Sequence, residues 1–201
     1  MKIHTTTRKL AVSALVATTL GATMSINAAS ISPTVGFVTV LDIVLSTESG
    51  LTYGQNVVGI AGTTCTMTVD SYAVANEIAA DAADTITDSI TGTGCLTEAA
   101  GATNNFSGVY GISGENDQAF SITVASSTDA DFSFTPTAKV CDVVAGCASA
   151  GTVVFADTTE LSAFDAAGDA MVVVAGTITI GAADLTPNTP YSQTFDITAT
   201  Y

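Results

Sequence analysis

The side chains able to do covalent chemistry in this chain are four cysteines, Cys65, Cys95, Cys141 and Cys147. An even set in an exported protein reads as two disulfides. Four cysteines allow three pairings. The favoured one joins Cys141 to Cys147 across a short loop and Cys65 to Cys95 across a long excursion. There is no CxxC, which leaves a thiolate metal site little to start from. Residues 1–28 read as a signal peptide. Lys2, Arg8 and Lys9 give a basic start, Leu10 to Ile26 is mostly apolar or small, and Ala28 follows as a cleavage residue. The apolar run is too short and too rich in Thr and Ser for a spanning helix, and no membrane insertion is expected once it is removed.

Loss of residues 1–28 takes three of the four cations and the only histidine, His4. The remainder carries Lys139 alone against 19 carboxylates, a net charge of −18, with no Arg, His or Trp. One lysine cannot replace the counterions of a nucleic acid or hold an anionic membrane surface. Without histidine there is no Ser-His-Asp or Cys-His nucleophile and no imidazole zinc ligand. Carboxylate pairs are the remaining acid–base chemistry, and scattered acids make some pair inevitable. No enzyme activity, cofactor or metal is therefore expected. The acids at Glu77, Asp81, Asp84 and Asp88, and those from Asp157 to Asp169, would be cation ligands at most. The EF-hand spacing is absent, and a solvated face is the simpler reading.

The elements that position these residues read as strands. Phe195, Ile197, Ala199 and Tyr201 alternate with Thr194, Asp196, Thr198 and Thr200, as in a strand with one buried and one wet face. A chain stopping on such a tyrosine implies a final strand in the core. Met171–Ile180 precedes it as a hairpin-like partner. Further strands are expected at 56–61, at 63–70 with Cys65 and Met67 facing inward, at 109–112, at Ala119–Ala125, at Asp131–Val140 and at 152–156. Pro136 suggests an edge or bulge late in its strand. Residues 72–91 place their acids on one face of an amphipathic helix of about four turns, although TITDSIT also alternates like a strand. Eight to ten short strands with frequent turns point to an all-β antiparallel sandwich of Greek-key type, with a short helix in an insertion at 72–105. The domain is taken as 41–201. Ahead of it the run from Ser30 to Leu45 would span roughly 50 Å at about 3.3 Å per residue, more than one sandwich strand needs.

Two sequence patterns go further. Val173–Ile180 (VVAGTITI) and Pro190–Tyr201 (PYSQTFDITATY) match a V-x-G-T-[LI]-T-[VI] strand followed by T-Y-x-x-T-F-x-[VI]-T-x-x-Y. Ala119–Val124 and Leu51-Thr52-Tyr53-Gly54 match the accompanying A-x-F-x-[VI]-T-V and L-x-[FY]-G elements. Together they resemble a family of small exported bacterial proteins of unknown function, similar in architecture to spore-coat-U-like proteins and chaperone–usher pilins. The resemblance spans 35–70 and 106–201. The 72–105 insertion and the four cysteines lie outside its pattern, Pro33 would interrupt a strand ladder, and Tyr201 is last where pilins carry a penultimate aromatic. The resemblance implies an incomplete immunoglobulin-like sandwich, completed by strand addition from a neighbour. Residues 29–40 would be the donor, with Ile31, Val35 and Phe37 as its inserted side chains and Leu41 opening the subunit's own first strand.

The expected function is then a structural subunit of an extracellular filament or surface coat. Its partners would be further copies of itself in a head-to-tail homopolymer, with a periplasmic chaperone and an outer-membrane usher in transit from periplasm to cell surface. The alternative is a secreted monomeric module binding a sugar or other surface ligand, with Tyr53, Tyr72, Tyr110 and Tyr191 as stacking surfaces.

Overall fold

The computed structural model describes residues 37–68, 89–96, 105–141 and 151–201. Among them there is no helix. The strands are, in chain order, β1 (Val44–Ser49), β2 (Thr64–Met67), β3 (Ile90–Thr91), β4 (Gly108–Ser113), β5 (Ala119–Val124), β6 (Ser127–Thr128), β7 (Phe132–Cys141), β8 (Thr152–Phe155), β9 (Thr159–Ala163), β10 (Asp169–Ile180) and β11 (Ile197–Thr200). All lie in a compact unit running from Thr39 to Tyr201.

Strand β10 carries apolar side chains on both faces, and Ala170 to Ala175 are all buried. It pairs antiparallel with β7 from Met171 to Ile180. Its other edge is shared, first by β4 up to Val174 and then by β2 from Gly176. The change of partner falls at Gly176, whose φ of 154° and close approach to the Thr135 carbonyl exclude a side chain. With β1, β3, β6 and β8 these strands make one eight-stranded antiparallel sheet. A second sheet has three strands, in the order β11-β5-β9.

Alternation on β5 sends Phe120, Ile122 and Val124 inward, where they form one core with Ala138, Val140, Val154, Val172 and Val174. Phe120 stacks on Phe164 with ring centroids 4.4 Å apart. Each fully buried side chain of this kind stabilises the fold by about 1.5–3 kcal/mol. The architecture is all-β and antiparallel, consistent with a β-sandwich.

Several strands differ from the sequence expectation. The hairpin-like pairing of 171–180 with 192–201 does not form: β10 lies in the large sheet and β11 in the small one, and the connection crosses between them. A crossover of sixteen residues containing two prolines is too long to set a tight turn. The terminal strand is shorter than expected and sits at a sheet edge, which leaves Tyr201 49% exposed. The side-chain alternation is present, with Phe195, Ile197 and Ala199 part-buried between exposed neighbours, but Tyr201 is not a core residue. The first strand begins at Val44, not Leu41, and is mostly exposed. Residues 56–61 form no strand and contribute a single bridge, Val57 to Cys95. Pro136 lies inside β7, opposite Gly176, at the gap between the residues that pair with β6 and those that pair with β8, so the strand is locally an edge there. Ile90 and Thr91, the end of the expected helix, are the strand β3. Residues 72–88 lie outside the described residues. Strand β9 runs through the acidic stretch from Asp157 to Asp169, where the sequence pattern predicts no strand.

Candidate functional site

The small sheet covers only part of the large one. Where it stops, a groove of about 1280 Å³ remains. Its floor is the inner face of the large sheet: Tyr110 from β4, Phe132 and Phe134 from β7, Ile178 and Ile180 from β10. Leu45 to Thr47 of β1 and the segment from Leu51 to Gly59 form one wall. The crossover residues from Leu185 onward, with Phe195 and Ile197, form the other. Among the described residues β1 pairs only with β4 and β11 only with β5. Each therefore borders the groove with an edge that has no strand partner among the described residues, a template for an added strand.

The walls are fixed by backbone hydrogen bonds. Thr52 and Phe106 exchange bonds of 2.9 and 2.8 Å. The Val58 amide donates to the Gly94 carbonyl at 2.7 Å and the Leu96 amide to the Asn56 carbonyl at 2.8 Å. The Cys65–Cys95 disulfide ties this second segment to β2. The Asn56 amide donates to Asn105 Oδ1 at 3.3 Å, both side chains being buried. The two walls touch where the Leu185 amide donates to the Gly59 carbonyl at 2.7 Å, and within the crossover the Thr186 amide donates to the Tyr191 hydroxyl at 2.8 Å.

Tyr53 closes one end. It is buried, and its hydroxyl donates to the Gly176 carbonyl at 2.6 Å. Burial pushes its pKa well above the usual tyrosine value, partly offset by a backbone hydrogen bond at Met67. This tyrosine is a structural pin, not the stacking surface expected of it. Tyr110 is half-buried in the floor, and burial raises its pKa too. Tyr191 lines the rim, and Tyr72 lies outside the described residues.

Away from the groove's lining, the start of the domain meets its finish. The Leu41 amide donates to Glu115 Oε2 at 3.1 Å, and the Glu115 amide donates to the Tyr201 hydroxyl at 2.7 Å. Just before this point Phe37 and Val38 are 86% and 95% exposed, and Val40 and Leu41 are exposed as well. Of the expected donor side chains, Phe37 is thus presented to solvent, while Ile31 and Val35 lie outside the described residues.

The cysteine expectation holds for Cys65–Cys95, whose sulfurs are joined and buried. Cys141 is buried at the end of β7 and also disulfide-bonded. Cys147 lies outside the described residues. Among the acids, Asp165 Oδ1 accepts from the Ala167 and Asp169 amides at 2.8 and 2.9 Å, and Asp157 accepts from the Ser126 amide at 2.8 Å and from the Ser126 hydroxyl. They organise turns, and no group of three metal-ligating side chains is found among the described residues. The acids from Glu77 to Asp88 lie outside those residues. Sequence reasoning located the central strands, and the resemblance implied an incomplete sandwich, but neither placed the groove's lining, which is made by floor residues that no described strand covers. An available signal was the excess of inward apolar positions on β4, β7 and β10 over the strands able to cover them.

No family model, curated protein or solved structure matches this chain.

Proposed function

We propose that this protein is an exported structural subunit of a filament or surface coat, assembling by strand addition into the open groove. The observation that carries this reading is an apolar groove flanked by two strand edges that have no partner among the described residues, in a chain that also exposes the apolar residues from Phe37 to Leu41 ahead of β1. Backbone hydrogen bonds along such an edge supply affinity, and alternating side chains set the register. Three donor side chains, Ile31, Val35 and Phe37, would contribute roughly 4–9 kcal/mol of gross apolar burial before the cost of ordering the strand. A strand given to the next copy and received from the last is a heterologous contact that does not close, so it yields a linear polymer. A disulfide is compatible with export through an oxidising compartment. In this reading the sandwich is immunoglobulin-like with Greek-key connections, and an open groove needs a periplasmic chaperone and an outer-membrane usher until it is filled.

The test is deletion of residues 29–40. The truncated chain keeps the compact unit from Leu41 onward and should remain folded but form no filaments by electron microscopy. Filaments from the truncated chain would overturn the reading. A full-length soluble monomer that binds glycans would favour the ligand-binding alternative.

A further inference from the structure

The groove has an aromatic centre. Phe195 on its wall meets Tyr110 edge-on at 6.0 Å and Phe134 at 5.2 Å. Two glycines let these rings lie along the floor. A Cβ at Gly108 would meet the Tyr110 ring at 2.8 Å, and one at Gly176 would meet Phe134 Cε2 at 2.9 Å. Phe134 is buried, but Tyr110 and Phe195 are only half so. The cluster has ring faces and edges still open to the groove, the arrangement that favours a further aromatic in offset or edge-on contact.

The run from Ala29 to Leu41 contains one aromatic, Phe37, and no charged side chain. Phe37 is 86% exposed and shares strand parity with Ile31 and Val35. The neutrality of the run matters because the rest of the exported chain is strongly acidic, and an acidic strand would be repelled by a second copy. We infer that the groove's occupant is the N-terminal run of a second copy, anchored by Phe37 on the Tyr110–Phe134–Phe195 cluster. This rests on the strand-accepting reading and adds its specificity determinant. A buried aromatic anchor in a pocket carries a disproportionate share of binding energy.

The chain has no tryptophan, which supplies a clean probe. A peptide of residues 29–43 carrying Phe37→Trp is titrated into the chain from residue 41 onward, which lacks the run that would occupy the groove of a second copy. Its emission should shift to the blue and saturate. Unlabelled peptides then compete: the Phe37→Ala version should be about tenfold or more weaker than the natural sequence, with Phe37→Leu between them. Peptide variants leave the acceptor's folding untouched. An Ala peptide that competes as well as the natural one overturns the anchor while strand acceptance stands. If neither the Trp peptide nor the natural one binds, the strand-accepting reading fails with it.

Discussion

Two halves of the same sandwich treat aromatic side chains differently. In the covered half, Phe120 and Phe164 stack at 4.4 Å, and each is nearly inaccessible beneath the small sheet. In the open half, Tyr110 and Phe195 meet edge-on at 6.0 Å and are only partly buried. Both clusters rest on strands of one large sheet. What separates them is that the three-stranded sheet ends at β11. The covered half uses its apolar area to stabilise the fold, whereas in the proposed assembly the open half supplies apolar area for association.

The contrast breaks most visibly on truncation. Phe120→Ala should cost about 3–5 kcal/mol of unfolding free energy. Phe195→Ala should cost only about 1 kcal/mol, because the half-buried ring forfeits less transfer energy and leaves no enclosed cavity, yet it should abolish binding of the residue 29–43 peptide. Urea denaturation and peptide titration on the same two variants measure both effects. Equal stability losses would erase the distinction between the halves.

Next in size is the disulfide that braces the groove wall. Replacing Cys65 and Cys95 by Ala should cost about 2–4 kcal/mol for a loop of 30 residues. Because residues 94–96 hold the wall through the Val58 and Leu96 amides, the remaining folded protein should also accept peptide less well. Thermal unfolding with and without peptide separates the two effects.

Tyr53 sharpens the comparison at the groove's closed end. Tyr53→Phe should cost about 1–2 kcal/mol, since the buried Gly176 carbonyl loses its donor. The pH response has a definite sign. The folded pKa is raised, so above about pH 10 the unfolded phenol ionises while the folded one keeps its proton. Stability therefore falls as pH rises past that value, and the Phe variant should lose this part of the decline. The smallest effect is at Asp157, on the turn between β8 and β9. Its carboxyl lies below the usual range, first because the Ser126 hydroxyl and then because the Ser126 amide hydrogen-bonds to it. Asp157→Asn should slightly weaken the fold near neutral pH. The natural protein should lose that advantage as pH falls from the ordinary carboxylate range through the lowered pKa.

The strands that build both halves were more legible in sequence than the opening between them. Ala119–Val124 and Phe132–Cys141 announce themselves by alternation and aromatics, and Cys65 and Met67 face inward as their parity requires. Strand β9 was hidden because TELSA exposes Leu161 and turns Glu160 and Ser162 toward the sheet interior, reversing the expected contrast. The crossover after Ile180 was misjudged because pairing between distant strands is a property of the whole topology, which local periodicity does not encode. The position of the groove was illegible for the same reason: it lies where no described strand covers the inner face of the large sheet, and a gap between strands has no residues of its own. The surplus apolar run ahead of Leu41 and the incomplete sandwich that the resemblance implies were its hints.

In the proposed assembly the edges of β1 and β11 that border the groove receive a strand. Amide hydrogen exchange with and without saturating residue 29–43 peptide tests this most directly. The account predicts that amides within Phe195–Thr200, Val44–Ser49 or both become markedly slower, while β5 and the covered half of β10 keep their rates. Unchanged exchange at both edges, with peptide demonstrably bound, would contradict it.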